Sequence, residues 1–142
     1  MSAQMAVEQI LERIPQRPPF LFVEKIIEET EKGLQASYKI KKDEYFFKGH
    51  FPGRPTVPGV ILQEALFQTG ALFLSSKAQG KGVGMVTRVD RAKFRRQVLP
   101  QDELNLYVEL IEKMGEAYLL QGFIKKDNKT VVSLQFMCAT AE

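Results

Sequence analysis

The feature that most constrains this chain is the stretch 49–70, which reads GHFPGRPTVPGVILQEALFQTG. Its first part is rich in glycine and proline, and Pro52, Pro55 and Pro58 restrict the backbone and remove hydrogen-bond donors. From residue 60 to residue 74 the side chains are nearly all apolar, which predicts a buried helix that begins just after Pro58. The sequence therefore predicts a rigid loop that leads directly into a helix in the protein interior.

The predicted helix carries one carboxylate, Glu64, into the interior with no basic residue beside it in the sequence. Burial raises the pKa of a glutamate toward the range of a general acid at neutral pH. Gln68 lies one turn later on the same helix face, where its amide can hydrogen-bond to that carboxyl group. His50, the only histidine of the chain, lies just upstream in the loop. We interpret His50 and Glu64 as a catalytic pair, while a structural carboxylate and a hydrogen-bonded loop histidine remain open on this pattern alone.

A membrane-spanning helix is the competing interpretation of the apolar run. Such a span needs roughly 20 apolar residues with few or no charges, and this run is shorter and carries Glu64 near its start. Hydrophobic residues make up 44% of the chain and charged residues 26%, as is usual for a globular protein. At 142 residues the chain is predicted to form one domain, residues 1–142, with no membrane association.

The counts of cysteine and histidine exclude several kinds of site. One cysteine, Cys138, allows no internal disulfide and no multi-cysteine metal site, and one histidine allows no site built on several histidines. No basic start followed by an apolar core marks the N-terminus, so we expect no signal peptide and a cytoplasmic protein. The net charge of +3 and the pI near 9.0 indicate an acidic partner.

The rest of the chain predicts one further helix and several strands around the central helix. The expected elements are an amphipathic helix over 5–14, strands over 20–30 and 34–40, a connector over 41–47, a flexible break at 79–82, and strands over 83–89, around Lys93, and over 103–114, 116–126 and 130–139. One long buried helix with antiparallel strands is an α+β layout. The helix is roughly 25 Å long at 1.5 Å per residue, which is long enough to be wrapped by a curved sheet.

The most basic stretch, residues 88–96, reads RVDRAKFRR. If it forms a strand, Arg91, Lys93 and Arg95 share one face, because side chains alternate along a strand. This face is either simply solvated or a docking site for an acidic, phosphorylated partner. Nucleic acid is the competing partner, but only Phe94 interleaves the charges and no nucleic-acid motif is present.

Taken together, these residues resemble the signature of the bacterial 3-hydroxyacyl-[acyl-carrier-protein] dehydratases, which have the hot-dog fold. The resemblance implies a curved antiparallel sheet wrapped around a long central helix. The fourteen-residue spacing from His50 to Glu64 matches the family, and glutamate as the acid resembles the plain dehydratases more than their isomerising relatives. The resembling positions cover most of the chain: Pro15, Arg17, Pro19, Phe20, Leu21, Gly49, His50, Phe51, Pro52, Pro55, Pro58, Gly59, Val60, Glu64, Ala65, Gln68, Asp90, Ala92, Lys93, Phe94, Arg96, Val98, Pro100 and Asp102.

The resemblance implies loss of water from a 3-hydroxyacyl thioester to give the trans-2-enoyl thioester in fatty acid biosynthesis, with no metal and no redox cofactor. His50 would remove the proton from C2, and Glu64 would protonate the leaving hydroxyl directly or through a water. The backbone N–H of Gly59, at a helix N-terminus, would stabilise the charge on the thioester oxygen. Further substrate contacts are expected from Phe51, Val60 and Gln68.

The resemblance also implies the partners. The substrate would arrive on acyl carrier protein, an acidic helical protein with a phosphopantetheine arm. Two subunits would share each site across a two-fold axis, in a homodimer or in a trimer of such dimers. The expected docking residues for the carrier protein are Arg91, Lys93, Arg95 and Arg96.

Two other functions remain open. A hot-dog thioesterase would cut the same thioester with a carboxylate and water, although the complete histidine loop argues against it. A non-catalytic homologue would only bind the carrier protein, although the presence of both His50 and Glu64 argues against that. The chain departs from the family at Gln16, where histidine is frequent, and at Gln97 and Gln101, where proline and glycine are usual. These departures bear on substrate range and carrier docking.

Overall fold

The computed structural model describes residues 3–77 and 83–141. Within these ranges six strands form one antiparallel sheet in the order β1-β2-β4-β5-β6-β3. The α+β prediction is confirmed, and the predicted break at 79–82 lies outside the described residues. In chain order the elements are α1 (Ala3–Leu11), β1 (Lys25–Glu29), β2 (Gly33–Lys39), a 3-10 turn (Tyr45–Lys48), α2 (Gly59–Ser75), β3 (Val83–Phe94), β4 (Glu103–Met114), β5 (Ala117–Lys126) and β6 (Lys129–Ala141).

The central helix α2 packs on one face of the sheet, against β2, β4, β5 and β3. Side chains alternate between the two faces of a strand, so every second residue of the long strands points at α2. A Cβ added to Gly70 of α2 would lie 2.8 Å from Phe136 and 3.1 Å from Leu120, so helix and sheet are in direct contact there. No helix in the described part of the chain is long and apolar enough to cross a membrane. The strand residues that bury against this helix include Leu104, Leu106, Leu120, Ile124, Val132, Leu134 and Phe136.

The opposite face of α2 is left partly open. Its incompletely buried residues follow helical spacing and therefore form one stripe along the helix. Val60 at the start of this stripe is 69% exposed. On the neighbouring strand, Val89 and Phe94 pair with Phe136 and Val132, so they belong to the helix-facing side of the sheet, yet both are exposed. We call this surface the open face; its α2 residues are Val60, Gln63, Glu64, Phe67 and Ala71.

The first predicted strand is longer than the observed one. The strand predicted over 20–30 is only Lys25–Glu29. Residues 20–22 leave the sheet because their backbone bonds to the buried side chain of Gln68 on α2 instead.

Strand β3 is continuous where two strands were predicted, over 83–89 and around Lys93. Its pairing with β6 shifts register between Val86 and Arg88 and again between Asp90 and Lys93. Each bulge lets β3 accommodate an extra residue while pairing continues beyond it. β3 also forms one edge of the sheet.

Helix α1 ends at Leu11, earlier than the predicted residue 14. The side chain of Arg13 then joins three elements. Its guanidinium donates to both carboxylate oxygens of Glu29 at the end of β1, at 2.9 and 2.8 Å. It also donates to the Ser75 hydroxyl and to the Leu72 carbonyl at the end of α2. A bidentate pair of this kind is geometrically specific, so Arg13 fixes how the N-terminal segment lies across the C-terminal end of α2.

Candidate active site

The loop before α2 holds His50 in a defined orientation. The Nδ1 atom of His50 lies 3.0 Å from the carbonyl oxygen of Thr56. A carbonyl oxygen can only accept, so Nδ1 carries the proton and Nε2 keeps a free lone pair. The backbone N–H of Thr56 in turn donates to the carbonyl of His50 at 3.2 Å, and the ring stacks on Phe51 at 4.1 Å between centroids. This geometry presents an imidazole whose open nitrogen is a base.

The other side of this loop is tied to the segment between β3 and β4. The hydroxyl of Thr56 donates to the carbonyl of Val98 at 3.3 Å, and the backbone N–H of Val57 donates to the same carbonyl at 2.8 Å. All three residues are buried. The position of His50 therefore depends on a segment distant in sequence, which the proline spacing alone does not reveal.

Glu64 lies half-buried on the open face of α2. Its Oε2 accepts a hydrogen bond from Nε2 of Gln68 at 3.0 Å, one turn further along the helix. Burial raises the pKa of the Glu64 carboxyl, and the hydrogen bond from Gln68 offsets this in part. The result is a carboxyl group biased toward its protonated form, which is the state that a general acid needs.

Gln68 itself is completely buried. Besides donating to Glu64, its Nε2 donates to the carbonyl of Phe20 at 3.0 Å, and its Oε1 accepts from the N–H of Phe22 at 2.8 Å. Both amide protons and the carbonyl oxygen are thus satisfied within the chain. Gln68 has no exposed surface within one chain, and its three hydrogen bonds tie Glu64 to the segment 20–22; its expected contact with substrate stays a prediction.

The N-terminus of α2 leaves backbone donors available. Pro58 occupies the N-cap position without any side-chain capping bond, and the first backbone bonds of the helix come from Ile61 and Leu62 to the Pro58 carbonyl. The N–H of Gly59 therefore has no partner among the described residues. N–H groups in the first turn sit at the positive end of the helix dipole and favour a negatively charged oxygen.

Phe94 lies against the start of α2, a contact that the sequence analysis did not predict. A Cβ on Gly59 would lie 3.0 Å from Cε1 of Phe94, so this ring occupies the space that a side chain would need. Phe94 is 50% exposed and lies on the open face. In the sequence it looked like an isolated aromatic among arginines. Its contact with Gly59 depends on the bulges in β3, and no local pattern predicts it.

The described residues bring Glu64 and Gln68 together but do not join His50 to Glu64. No hydrogen bond between His50 and Glu64 is present in the described part of the chain. Phe51 and Val60, the other expected substrate contacts, are 55% and 69% exposed. Each half of the candidate site, His50 in its loop and Glu64 on α2, therefore has its own supporting hydrogen bonds.

The basic stretch differs from the predicted pattern at Arg91. This residue has a positive φ of 54° and lies in the second bulge of β3, so it does not continue the alternation with Lys93 and Arg95. Lys93 pairs with Ser133, whose side chain lies on the side of the sheet away from α2. Arg88 is paired with Asp90 at 2.8 Å. The four expected docking residues, Arg91, Lys93, Arg95 and Arg96, are all exposed.

Within 3–77 and 83–141 no group of three or more histidine, cysteine, aspartate or glutamate side chains is arranged to hold a metal ion.

Solved structures share this architecture. The structure titled "The Dehydratase Heterocomplex ApeI:P from Xenorhabdus doucetiae" superposes with a TM-score of 0.82 at 13% identity, covering 94% of this chain and 91% of that one. The uncharacterized protein PH1136 from Pyrococcus horikoshii superposes with a TM-score of 0.71 at 15% identity, covering 92% of each chain. At these identities the likeness concerns the fold alone, and it confirms the predicted hot-dog fold.

Sequence comparison extends the likeness beyond the fold. The family described as FabA-like domain matches residues 14–135. The 3-hydroxyacyl-[acyl-carrier-protein] dehydratase FabZ of Oceanobacillus iheyensis is 47% identical over 138 residues, covering 95% of this chain and 98% of the relative. The FabZ of Clostridium novyi is 40% identical over 141 residues, covering 97% and 99%. The chain therefore belongs to the FabA-like domain family and, within it, to the FabZ-type 3-hydroxyacyl-[acyl-carrier-protein] dehydratases.

Proposed function

We propose that this chain converts 3-hydroxyacyl thioesters on acyl carrier protein to trans-2-enoyl thioesters, the dehydration that its relatives' names describe, with His50 as base and Glu64 as acid. The observation that carries the residue assignment is the contrast between the two groups. His50 donates from Nδ1 to Thr56 and keeps a basic Nε2, whereas burial biases Glu64 toward the protonated form. Dehydration needs such a pair, because it removes a proton from carbon and gives one to oxygen.

The bonds in the reaction balance with these two groups alone. Nε2 of His50 takes the proton from C2, and that electron pair forms the C2–C3 double bond as the C3–O bond breaks. The carboxyl group of Glu64 gives its proton to the departing hydroxyl, which leaves as water. The enzyme is left with an imidazolium and a carboxylate, and one proton transfer between them restores the starting state.

The thioester oxygen gains negative charge while the C2 proton leaves. The uncapped N–H of Gly59 at the start of α2 is suited to bind this oxygen, because it is a preorganised donor at the positive end of a helix. Phe94 covers the Cα of Gly59 and would shield this bond from water. Hydrogen bonds to developing charge are strongest where water is excluded.

A second subunit completes the site in this proposal. His50 and Glu64 are supported by separate hydrogen bonds, and no hydrogen bond joins them within the described residues of one chain. The open face around Glu64 also exposes Val60 and Phe94, and β3 beside it is an edge strand. An exposed apolar surface next to an unpaired strand edge favours association with a second copy. A two-fold dimer would place each His50 against the partner's open face and repeat the site twice.

The carrier protein docks, in this proposal, on the basic end of β3. Arg91, Lys93, Arg95 and Arg96 are exposed, and no ion pair to any of the four is present in the described ranges. Phe94 lies within this segment and covers Gly59, so a carrier bound here would deliver its arm close to the helix N-terminus. Complementary charge of this kind raises the association rate and selects the partner.

A direct assay tests the dehydration. Purified protein is incubated with a 3-hydroxyacyl carrier protein, and the products are resolved by mass spectrometry. We expect loss of one water with the thioester intact. Release of free thiol without dehydration would instead identify a thioesterase, and unchanged substrate that remains bound to the protein would identify a non-catalytic carrier-binding homologue.

A further inference from the structure

The proposed mechanism makes no use of Tyr38 and Glu44, although both are buried. Their exposed fractions are 3% and 8%. A buried carboxylate is costly unless hydrogen bonds satisfy it. Here the Tyr38 hydroxyl donates to Oε2 of Glu44, and the backbone N–H of Lys41 donates to the same oxygen at 3.1 Å. The carboxylate therefore joins strand β2 to the connector that follows it.

Glu44 occupies the start of the segment that ends at His50. It is the N-cap residue of the 3-10 turn Tyr45–Lys48, and its carbonyl accepts from the N–H of Phe47 at 3.1 Å. The N–H of Gly49 then donates to the carbonyl of Phe46, and His50 follows directly. Fixing Glu44 therefore fixes the first end of this short segment, while Thr56 holds its last residue.

The anchor for this segment is itself rigid. Tyr38 lies on β2, which pairs with β1 on one side and β4 on the other. Its ring packs edge-on against Phe22, at 6.0 Å between centroids, and Phe22 packs in the same way against Phe46 of the 3-10 turn at 6.3 Å. The sheet thus holds residues 45–50 through a polar contact at Glu44 and an aromatic contact at Phe46.

We propose that Tyr38 and Glu44 form a buried brace that positions His50 for catalysis, by holding residues 45–50 where Nδ1–H can donate to the Thr56 carbonyl and Nε2 is the open ring nitrogen. Neither brace residue touches the reacting atoms, so both are positioning residues. The inference rests on the proposed role of His50 as base. It adds a second support for the tautomer: the segment that leads to His50 is held to the sheet through Glu44 and through the contact between Phe22 and Phe46.

The protonation of Tyr38 supports this arrangement. Burial, together with the hydrogen bond to Glu44, raises the pKa of the phenol well above its usual range. Tyr38 therefore remains a donor throughout the range in which an enzyme of this type works. The effect of Tyr38 on His50 is therefore one of position.

The test measures the imidazole directly. Because His50 is the only histidine, the side-chain ¹⁵N resonances of the folded protein report its tautomer without assignment ambiguity. Three variants are compared with the unchanged chain in the absence of substrate: Tyr38→Phe, Glu44→Ala and Glu44→Gln. Dehydration kcat and KM are then measured on the same samples and corrected for the folded fraction.

We expect Tyr38→Phe and Glu44→Ala to shift the ratio of Nδ1–H to Nε2–H tautomers toward Nε2–H by about fivefold, the equivalent of one ordinary hydrogen bond. We expect kcat to fall by at least that factor, with a smaller change in KM. Glu44→Gln keeps an acceptor oxygen for Tyr38 and Lys41, so its tautomer ratio and its kcat should both stay close to those of the unchanged chain. Glu29→Gln is the control, since it removes a carboxylate bonded to Arg13, away from this segment, and should lower stability without changing the tautomer.

The proposal is overturned if Tyr38→Phe, the variant that retains most shape, keeps the original tautomer ratio, or if its lost activity equals its lost folded fraction. Should Glu44→Ala not fold, Tyr38→Phe decides alone. The tautomer measurement needs no turnover, so it is independent of the proposed function. A His50→Ala variant with normal dehydration would overturn the role of His50 while leaving the tautomer result intact.

Discussion

Gln68, with no exposed surface, donates to the Glu64 carboxyl at 3.0 Å from one helical turn away. The same amide accepts from Phe22 N–H and donates to the Phe20 carbonyl. One side chain therefore both orients the candidate acid and replaces the strand pairing that residues 20–22 lack. This double use makes Gln68 a point at which stability and chemistry can be separated by experiment.

Replacing Gln68 with leucine is expected to lower stability and to change the pH dependence of catalysis. The substitution leaves the N–H of Phe22 buried without a partner, at roughly 1–3 kcal/mol, and removes the donor to the part-buried carbonyl of Phe20, at a smaller cost. It also removes the hydrogen bond that lowers the Glu64 pKa, so that pKa rises further. Because the acid must be protonated, the high-pH limb of kcat/KM should move to higher pH. Urea unfolding and a pH–rate profile measure the two effects, and an unmoved limb would contradict the link between Gln68 and Glu64.

Glu64→Gln is expected to remove activity while improving stability at neutral pH. The folded-state pKa of Glu64 is raised by burial, so the folded chain holds this proton more tightly than the unfolded chain. The resulting stabilisation is fully present below the unfolded pKa and is lost as pH rises through that value toward the folded pKa. A glutamine at position 64 carries no titrating proton, so the variant does not lose stability in this way. The difference in unfolding free energy, variant minus unchanged chain, should therefore increase from pH 4 to pH 7, as urea titrations at both pH values will show.

Gly70→Ala is expected to destabilise the fold by about 1–2 kcal/mol, the cost of overpacking reduced by the better helix propensity of alanine. The added Cβ would lie 2.8 Å from Phe136 and 3.1 Å from Leu120, and both side chains are fully buried and cannot move aside cheaply. Gly84→Ala is the matched control, since nothing lies within 4 Å of its added Cβ. Equal urea midpoints for the two variants would show that α2 is not in close contact with the sheet at Gly70.

The elements that could be predicted from the sequence are those that neighbouring residues define. Helix α2 was predicted over 60–74 and spans Gly59–Ser75, because Pro58 and the apolar run define it without help from other segments. Strand β4 was predicted over 103–114 and spans the same residues, since Leu104, Leu106 and Val108 alternate with other residues in its buried half. The proposed pair of His50 and Glu64 rests on the spacing of two residue types in one such local stretch.

The parts that could not be predicted arise from contacts between distant segments. The bulge at Arg91 exists only in the pairing of β3 with β6, so simple alternation placed that residue with Lys93 and Arg95. The contact of Phe94 with Gly59 follows from the same pairing. Likewise, Phe22 looked like part of a strand because its competing partner, Gln68, is 46 residues away. In each case a hydrogen bond or a ring from elsewhere outweighed the local preference.

Reversing Arg91 and Arg95 to glutamate is expected to weaken turnover of carrier-bound substrate and to spare a small-thiol mimic. Both residues are exposed, so the fold should tolerate the change. The carrier's acidic surface would lose an attractive partner, and kcat/KM should fall with KM carrying most of the change. Lys25→Glu with Lys32→Glu is the control, because both residues are exposed, the net charge changes equally, and β1 forms the opposite edge of the sheet from β3. An equal loss with both substrates would instead assign Arg91 and Arg95 a structural role.

The last prediction concerns the shared site. His50→Ala and Glu64→Gln proteins are each expected to be inactive, and mixing them after dissociation and reassociation should restore activity. In a mixed dimer whose sites are shared across the two-fold axis, one site collects both lesions and the other collects none. Random exchange makes about half of the dimers mixed, so roughly a quarter of all sites should be intact. Native mass spectrometry measures the mixed dimers in the same sample and also distinguishes a dimer from a trimer of dimers. If exchange is confirmed in this way and activity still stays at background, His50 and Glu64 of one chain act together. The site on the open face of α2 would then be formed within one subunit.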